Sequence, residues 1–326
     1  MTQPKILVRG GGVAGLVTAT ALADRGAHIT LHERADRIGA GASWQAGGML
    51  TPWCEAEAAP EEVTRDSESS ILWWSSHVPD VTHGGSLVVA PARDTPELTR
   101  FGRRTSHFET LNGSQIGELE PDLNGRFERA LHFPTEAHVD PRKALHHLAQ
   151  SLVSNGHSIV LGEKSLDETS FDWVIDCTGI DARDTDPNLK NTLRCVRGEM
   201  LILRCLDISL RRPVRMLHPR IPIYIVPRAE KTFMVGATMI ESDDNRGMTV
   251  RSITDLLNAA YTLHPAFADA EILEANAGRR PAFSDNIPRV QQNGRHIVLN
   301  GMYRHGFLLS PHRAGQICDI VFGSAA

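Results

Sequence analysis

The chain has 326 residues, 41% of them hydrophobic and 22% charged, with a net charge of −5. That length exceeds the usual single domain, and the composition is that of a globular protein with a full core. No long basic run marks a nucleic-acid or membrane surface, and no apolar stretch is long enough to span a bilayer. The five cysteines (54, 177, 195, 205, 318) are odd in number and scattered, without a CxxC pair. They are expected as reduced thiols, not as a disulfide frame or a zinc site, in a cytoplasmic protein.

Lys5 to Arg9 is an apolar run that stops at Gly10-Gly11-Gly12; a helix is expected over Val13 to Arg25, closed by Gly26, and a second strand over Ala27 to His32, ending on Glu33. Strand, glycine turn, helix, strand and acid is the layout that binds a dinucleotide at the edge of a parallel sheet. Gly10 permits the tight turn, Gly12 lets the backbone approach a pyrophosphate, and Gly15 lets the helix lie close to the strand. Val13 and Ala14 open the helix, where free N–H groups favour phosphate. Glu33, 23 residues after Gly10, is placed to accept the ribose hydroxyls.

Gly39 to Pro52 is rich in glycine and alanine and carries Ser43, Gln45, Gly47, Gly48 and Met49. Either a mobile loop or a bed of backbone for a large flat group fits that composition; the apolar flanks Trp44, Met49 and Leu50 favour the bed, and so favour FAD over NAD. From Trp53 to Ala137 the chain turns polar, with one helix expected over Pro60 to His77, in which Trp73 and Trp74 serve a core or interface, and a strand over Ser86 to Ala90. Asp140-Pro141 reads as an N-cap followed by proline at the first helical position. The stripe Leu145, Leu148, Ala149, Leu152 and Val153 continues that helix to Asn155-Gly156.

Short strands follow at Ser158 to Leu161 and Asp172 to Cys177, the latter ending in Thr178-Gly179, where backbone can pass beside a cofactor. Alternating segments at Glu199 to Leu203, Ile223 to Pro227 and Thr232 to Ala237 predict antiparallel strands, with a helix over Val250 to Leu263. His296 to Gly301 predicts a buried strand, Met302 to Ser310 a loop, and Pro311 the start of the last helix. His305 and His312 are expected as surface or loop residues. The 15 histidines show no metal-spaced cluster.

Several of these segments together resemble the FAD-dependent amine and amino-acid oxidases of the D-amino-acid oxidase type, above all the glycine oxidases of thiamine biosynthesis. The resemblance runs through Gly10 to Gly15 with Glu33-Arg34, Gly41 to Leu50, Val139 to Arg142, Arg197 to Met200, Tyr224 to Arg228, Val235 to Met239, Gly278 to Pro281 and Gly301 to Pro311. It implies an α/β fold, with a Rossmann-like FAD-binding domain (1–52, 138–189 and 279–326) and a discontinuous α+β substrate domain (53–137 and 190–278) built on an antiparallel sheet. It implies that Arg280 pairs with a substrate carboxylate over the flavin, that Tyr224 assists, and that Met239 is a pocket residue, although on its own Met239 reads equally as core. Arg304 is placed near the substrate amine, through side chain or backbone. Arg34, Thr178, Gly179, Arg304, His305, Gly306, Phe307 and Leu308 join Gly10 to Gly15, Glu33 and the Gly41 to Met49 bed in holding FAD. Gln45 stands where covalent relatives carry histidine, and no cysteine occurs over 278–285, so non-covalent FAD is expected.

The implied reaction is hydride transfer from Cα of glycine, sarcosine or a small D-amino acid to flavin N5, giving imine or keto acid, ammonia and, from O2, hydrogen peroxide. Hand-off of the imine to a thiazole synthase and homo-oligomerisation are compatible with it. Two other readings share the sequence: a dehydrogenase for D-amino acids or secondary amines that passes electrons to a quinone or partner subunit, and an FAD-containing assembly subunit without turnover.

Overall fold

A computed structural model describes residues 3–323. Its first sheet has six strands in the order Arg289–Asn293, His296–Asn300, Trp173–Asp176, Lys5–Arg9, His28–Glu33 and Ser158–Leu161. All neighbours are parallel except the first pair. The central strand Lys5–Arg9 is buried between two parallel partners, so its run of Ile6, Leu7 and Val8 need not alternate with polar residues. The helix Val13–Asp24 packs on Pro141–Ser154 and on the C-terminal helix Gly306–Phe322. A single apolar core joins these helices to the sheet.

The second sheet has nine strands, mostly antiparallel, drawn from Ser86–Val89, Glu109–Asn112, Arg129–Phe133, Arg194–Arg204, Val214–Met216, Ile223–Pro227, Thr232–Gly236, Ile240–Glu241 and Glu271–Ala282. The helix Val250–Leu263 covers it, burying Leu256, Ala260 and Leu263. Its long strand Glu271–Ala282 pairs along the whole of Arg194–Arg204 and runs through the 278/279 position toward the first sheet. Met49–Leu50 and Ala137–His138 form a two-stranded bridge.

Two helices depart from expectation. Pro60 to His77 is two helices, Glu61–Ser67 and Ser70–His77. Ser67 Oγ turns back to donate to Thr64 O, the kind of local bond by which serine competes with a continuing helix. The C-terminal helix starts at Gly306, five residues before Pro311, so Gly306 to Ser310 is helix and not loop. Proline inside a helix removes the N–H owed to the carbonyl four residues earlier, here Phe307. That carbonyl instead accepts from Trp74 Nε1–H at 2.8 Å and from Ser70 Oγ at 3.4 Å. Trp74, fully buried and stacked on Phe307, is thus the reason the helix continues through Pro311.

Replacing Trp74 by Phe keeps the stacking and leaves that carbonyl only the long contact from Ser70 Oγ. A stability loss of about 1–3 kcal/mol is expected. Urea denaturation of the W74F protein with an unchanged midpoint would show that the carbonyl finds another donor.

Candidate active site

The glycine turn sets one end of a cleft of about 650 Å³ that runs between the two sheets. Gly10 has φ +102°, and a Cβ there would lie 2.5 Å from Cys177 O. Gly11 N–H and Ala35 N–H both donate to the Glu33 carboxylate, at 2.7 and 2.9 Å, so Glu33 braces the turn as well as lining the cleft. Ser43 Oγ accepts from Val13 N–H at 2.9 Å at the start of the first helix. Arg34 also lines this end and is held by Asp181 at 2.7 Å.

Thr178 and Gly179 border the cleft as expected, Thr178 fixed to Asp176 and the Gly179 carbonyl to Asn300. Gln45, Gly47, Gly48 and Met49 form its floor. Half-buried Arg228 holds that floor by donating to Gly47 O and Val139 O, both at 2.7 Å. Desolvation lowers its pKa to about 10, which leaves it charged at neutral pH. Gly15 lies behind the lining, where it lets the helix close on Gly10.

These features suit an adenine dinucleotide with a long flat group. The glycine turn is a cradle that a side chain would fill, and the starts of two helices, at Val13 and Gly306, leave N–H groups without helical partners. Gln45 Oε1 is buried and has no hydrogen-bond partner within the chain.

At the other end stand Tyr224 and Arg280. The Tyr224 ring lies against Gly47 and Gly236, where a Cβ would come within 3.0 and 3.3 Å of it. Arg280 lies flat over Gly198 and donates to Thr238 O at 3.1 Å. Among the described residues no carboxylate lies within ion-pair distance of Arg280, whereas neighbouring Arg197 is bound to Glu199 and to the carbonyls of Asp244, Arg246 and Gly247. Arg280 is therefore a half-buried guanidinium with its charge facing the cleft.

Met239 does not line this cleft. It is 53% exposed, and its sulfur accepts from Tyr303 Oη and Arg304 at the rim, each at 3.5 Å. A bulky residue at the mouth, where strand Thr232–Gly236 has already ended, borders the entrance without narrowing the interior. His305 lies in the loop, as expected, but is 3% exposed and not at the surface; it occupies the N-cap position of the helix that begins at Gly306. Burial pulls its pKa down to about 4, against the opposing pull of Glu55, so it is neutral at pH 7. Gly306, Phe307 and Leu308 follow it along the cleft wall. His312 is half-buried, 3.8 Å from Asp66.

The residue that sequence reasoning missed is Glu55. It ends the short helix Pro52–Glu55, lines the cleft and is 6% exposed. One oxygen accepts from Arg215 at 2.6 Å and the other from Arg304, whose Nε and Nη2 lie at 2.9 and 2.5 Å; His305 Nδ1 is 3.5 Å away. Burial alone would raise its pKa, but the two arginines outweigh it and hold the carboxyl far below the usual range. The Arg304 side chain is committed to this pair. The only sequence cue to Glu55 was Thr51-Pro52, a helix opening directly off the glycine-rich floor.

Behind Glu55 lies Glu136, 1% exposed, whose Oε1 accepts from Cys54 N–H at 2.7 Å while Oε2 has no partner. Burial raises its pKa from about 4.5 to about 7. A carboxyl whose folded pKa is raised contributes stability that is complete below about pH 4.5 and lost as pH climbs through about 7. Relative to an E136Q protein, wild type should lose about 3 kcal/mol across that window. Denaturation curves at several pH values would refute this if the two profiles ran parallel. All five cysteines are buried and free. The described residues contain no group of three or more metal-ligating side chains, and no helix long and apolar enough to cross a membrane.

The two-sheet fold and its cleft define an FAD-linked oxidoreductase, and the sequence comparison agrees: the chain belongs to the DAO family of FAD dependent oxidoreductases, matched over residues 5–319. Members of this family are FAD-dependent, and the fold is that of amino-acid oxidases. The chain is 53% identical to the Rhizobium etli protein named "Putative thiamine biosynthesis oxidoreductase ThiO", over 96% of this chain and 95% of that one. It is 28% identical to the Nostoc sp. protein named "Bifunctional protein ThiO/ThiG", over 97% of this chain and 52% of that one. Among solved structures, glycine oxidase from Bacillus cereus superposes with a TM-score of 0.82 at 22% identity, over 99% of this chain and 96% of that one.

Proposed function

We propose that this protein is an FAD-dependent oxidase of a small amino acid, glycine foremost, serving thiamine biosynthesis. The observation that carries the reading is Arg280: a guanidinium facing the cleft with Tyr224, with no acid partner among the described residues. A planar guanidinium accommodates a carboxylate through paired N–H donors. FAD would lie along the cleft, with its adenine end at Gly10, Gly12, Val13, Ala14, Glu33 and Arg34 and its flavin end at Gln45, Gly47, Gly48, Met49 and the helix that starts at Gly306. Gln45 stands at the histidine position and no cysteine occurs over 278–285, so the cofactor would be held non-covalently.

In this reading Arg280 and Tyr224 fix the carboxylate and thereby the direction of the Cα–H bond. Rate then comes from orientation, for which reaction within a fixed pair is favoured by several kcal/mol over free encounter. When bound, FAD supplies the two-electron acceptor for hydride from Cα, and O2 restores it, yielding hydrogen peroxide. Neutral His305 adds no further cation to Arg280 and Arg304 at the cleft wall. The chain itself need hold no proton for that step if the amine arrives neutral; the imine leaves for hydrolysis to keto acid and ammonia, or for a thiazole-forming partner. The occurrence of this half within a bifunctional relative supports such a hand-off.

The same reading divides the chain into an FAD unit (1–52, 138–189 and 279–326) and a substrate unit (53–137 and 190–278). It is supported by the origin of the six-stranded sheet in the first set and of nearly all of the nine-stranded sheet in the second. Anaerobic addition of glycine, sarcosine and D-alanine to the yellow holoenzyme tests the function. Bleaching by glycine, with one peroxide formed per turnover in air, is expected. A flavin that no amine bleaches would sink the proposal, and bleaching that only a quinone reverses would move it to the dehydrogenases.

A further inference from the structure

Arg280, Arg304 and Glu55 line the substrate end of the cleft. Arg197, Arg279 and Asp244 line it with them, each paired with an opposite charge: Arg197 with Glu199, Arg279 with Asp181 and Asp244 with Arg246. Arg304 Nε and Nη2 are both turned onto Glu55, and Arg280 has no such partner among the described residues. Arg215, the second guanidinium on Glu55, stands behind the lining and shares the field of buried Glu136. The lining at this end therefore carries one uncompensated positive charge.

We infer that Glu55 sets the charge selectivity of the site, cancelling Arg304 so that the cleft draws one carboxylate and rejects a second. The inference rests on Arg280 as the carboxylate anchor. Without the Glu55 charge, Arg304 would be a free guanidinium at the same rim, where its Nη1 already reaches Met239. A ligand with a second carboxylate would then find a second anchor. With Glu55 present, that second carboxylate meets an occupied guanidinium and a buried anion in surroundings of low polarity, where like charges repel strongly. Glu55 is thus a specificity-determining residue that acts through Arg304, and its position is fixed on the opposite side by Arg215.

Acetate and malonate, which differ by one carboxylate, separate the possibilities. Each is titrated into the holoenzyme at about pH 8, and the change in flavin absorbance gives the ratio of their Kd values. In wild type malonate should bind no better than acetate. Glu55→Gln should shift the ratio toward malonate by about tenfold or more, since one unit charge at this range is worth at least that. Glu55→Asp keeps the charge and should leave the ratio near that of wild type, which a merely structural role would not do. Arg304→Gln, at a part-exposed position that folding tolerates better, should shift the ratio away from malonate. Equal ratios in wild type, Glu55→Gln and Arg304→Gln overturn the inference, as does a Glu55→Asp protein that moves as far as Glu55→Gln. Should Glu55→Gln not fold, Glu55→Asp and Arg304→Gln still decide it. Acetate binding that survives in Arg280→Ala overturns the anchor itself, a result separable from failure of the charge rule.

Discussion

Replacing Arg280 by alanine is expected to lower kcat/KM for glycine by roughly 10²–10⁴-fold, the cost of leaving a desolvated carboxylate without its partner. The loss should fall on both kcat and KM, because the guanidinium sets both affinity and the aim of Cα–H. Arg280→Lys restores the charge but not the paired donors, so it should recover only part of the activity. Gly198 offers an independent route to the same result. A Cβ there would lie 2.1 Å from the Arg280 guanidinium carbon, so Gly198→Ala keeps the charge and moves it. Steady-state kinetics on the three proteins, each with its FAD content checked, make the test. A kcat/KM within about threefold of wild type in Arg280→Ala would remove the residue from substrate binding.

The Arg280 prediction could be made from sequence, and the Glu55 one could not; the difference is physical. The strand Lys5–Arg9, the helix Val13–Asp24, the Asp140-capped helix and Val250–Leu263 all announce themselves through local signals: periodicity, a cap, a glycine stop. The glycine-rich floor was legible because small residues repeated over a dozen positions seldom serve packing alone. Gly306–Phe322 was misread because Pro311 is a sound local start signal, and the group that lets the helix begin earlier and run through it, Trp74, lies more than 200 residues away in sequence. The break at Ser67 was hidden because Pro60 to His77 has helical composition throughout. Glu55 stands among other acids, Glu57, Glu61 and Glu62, and the helix opening at Thr51-Pro52 is too weak a signal to separate the buried one from its neighbours. Only the convergence of Arg215 and Arg304, from a strand and a helix start far along the chain, singles it out. Met239 illustrates the converse. Its motif position was legible, while its placement at the rim depends on where the strand ends.

Gly15→Ala should be the most damaging single methyl in the molecule. Its Cβ would sit 1.9 Å from Gly10 O, a backbone atom of the very turn that Gly10, Gly11 and Glu33 hold in place. Neither atom belongs to a side chain that can rotate away. Relief therefore requires the helix Val13–Asp24 to lift from the sheet, although that helix is packed between Pro141–Ser154 and Gly306–Phe322. Overpacking against rigid backbone lies at the upper end of the usual range, about 3 kcal/mol or more. The same displacement would move the start of that helix, and with it the Val13–Ser43 contact that borders the cleft, so the purified protein should have lost much of its yellow colour as well as stability. Gly315→Ala is the matched control. Gly315 lies on the exposed side of the last helix with nothing within 4 Å of its added Cβ. Alanine there should stabilise by about 0.5–1 kcal/mol through helix propensity and leave flavin content untouched. Thermal denaturation and the flavin-to-protein absorbance ratio of the two variants must therefore move in opposite senses or not at all for Gly315→Ala. If Gly15→Ala keeps full flavin and wild-type stability, the turn can yield, and the close approach of Gly15 to Gly10 is not what seats the cofactor.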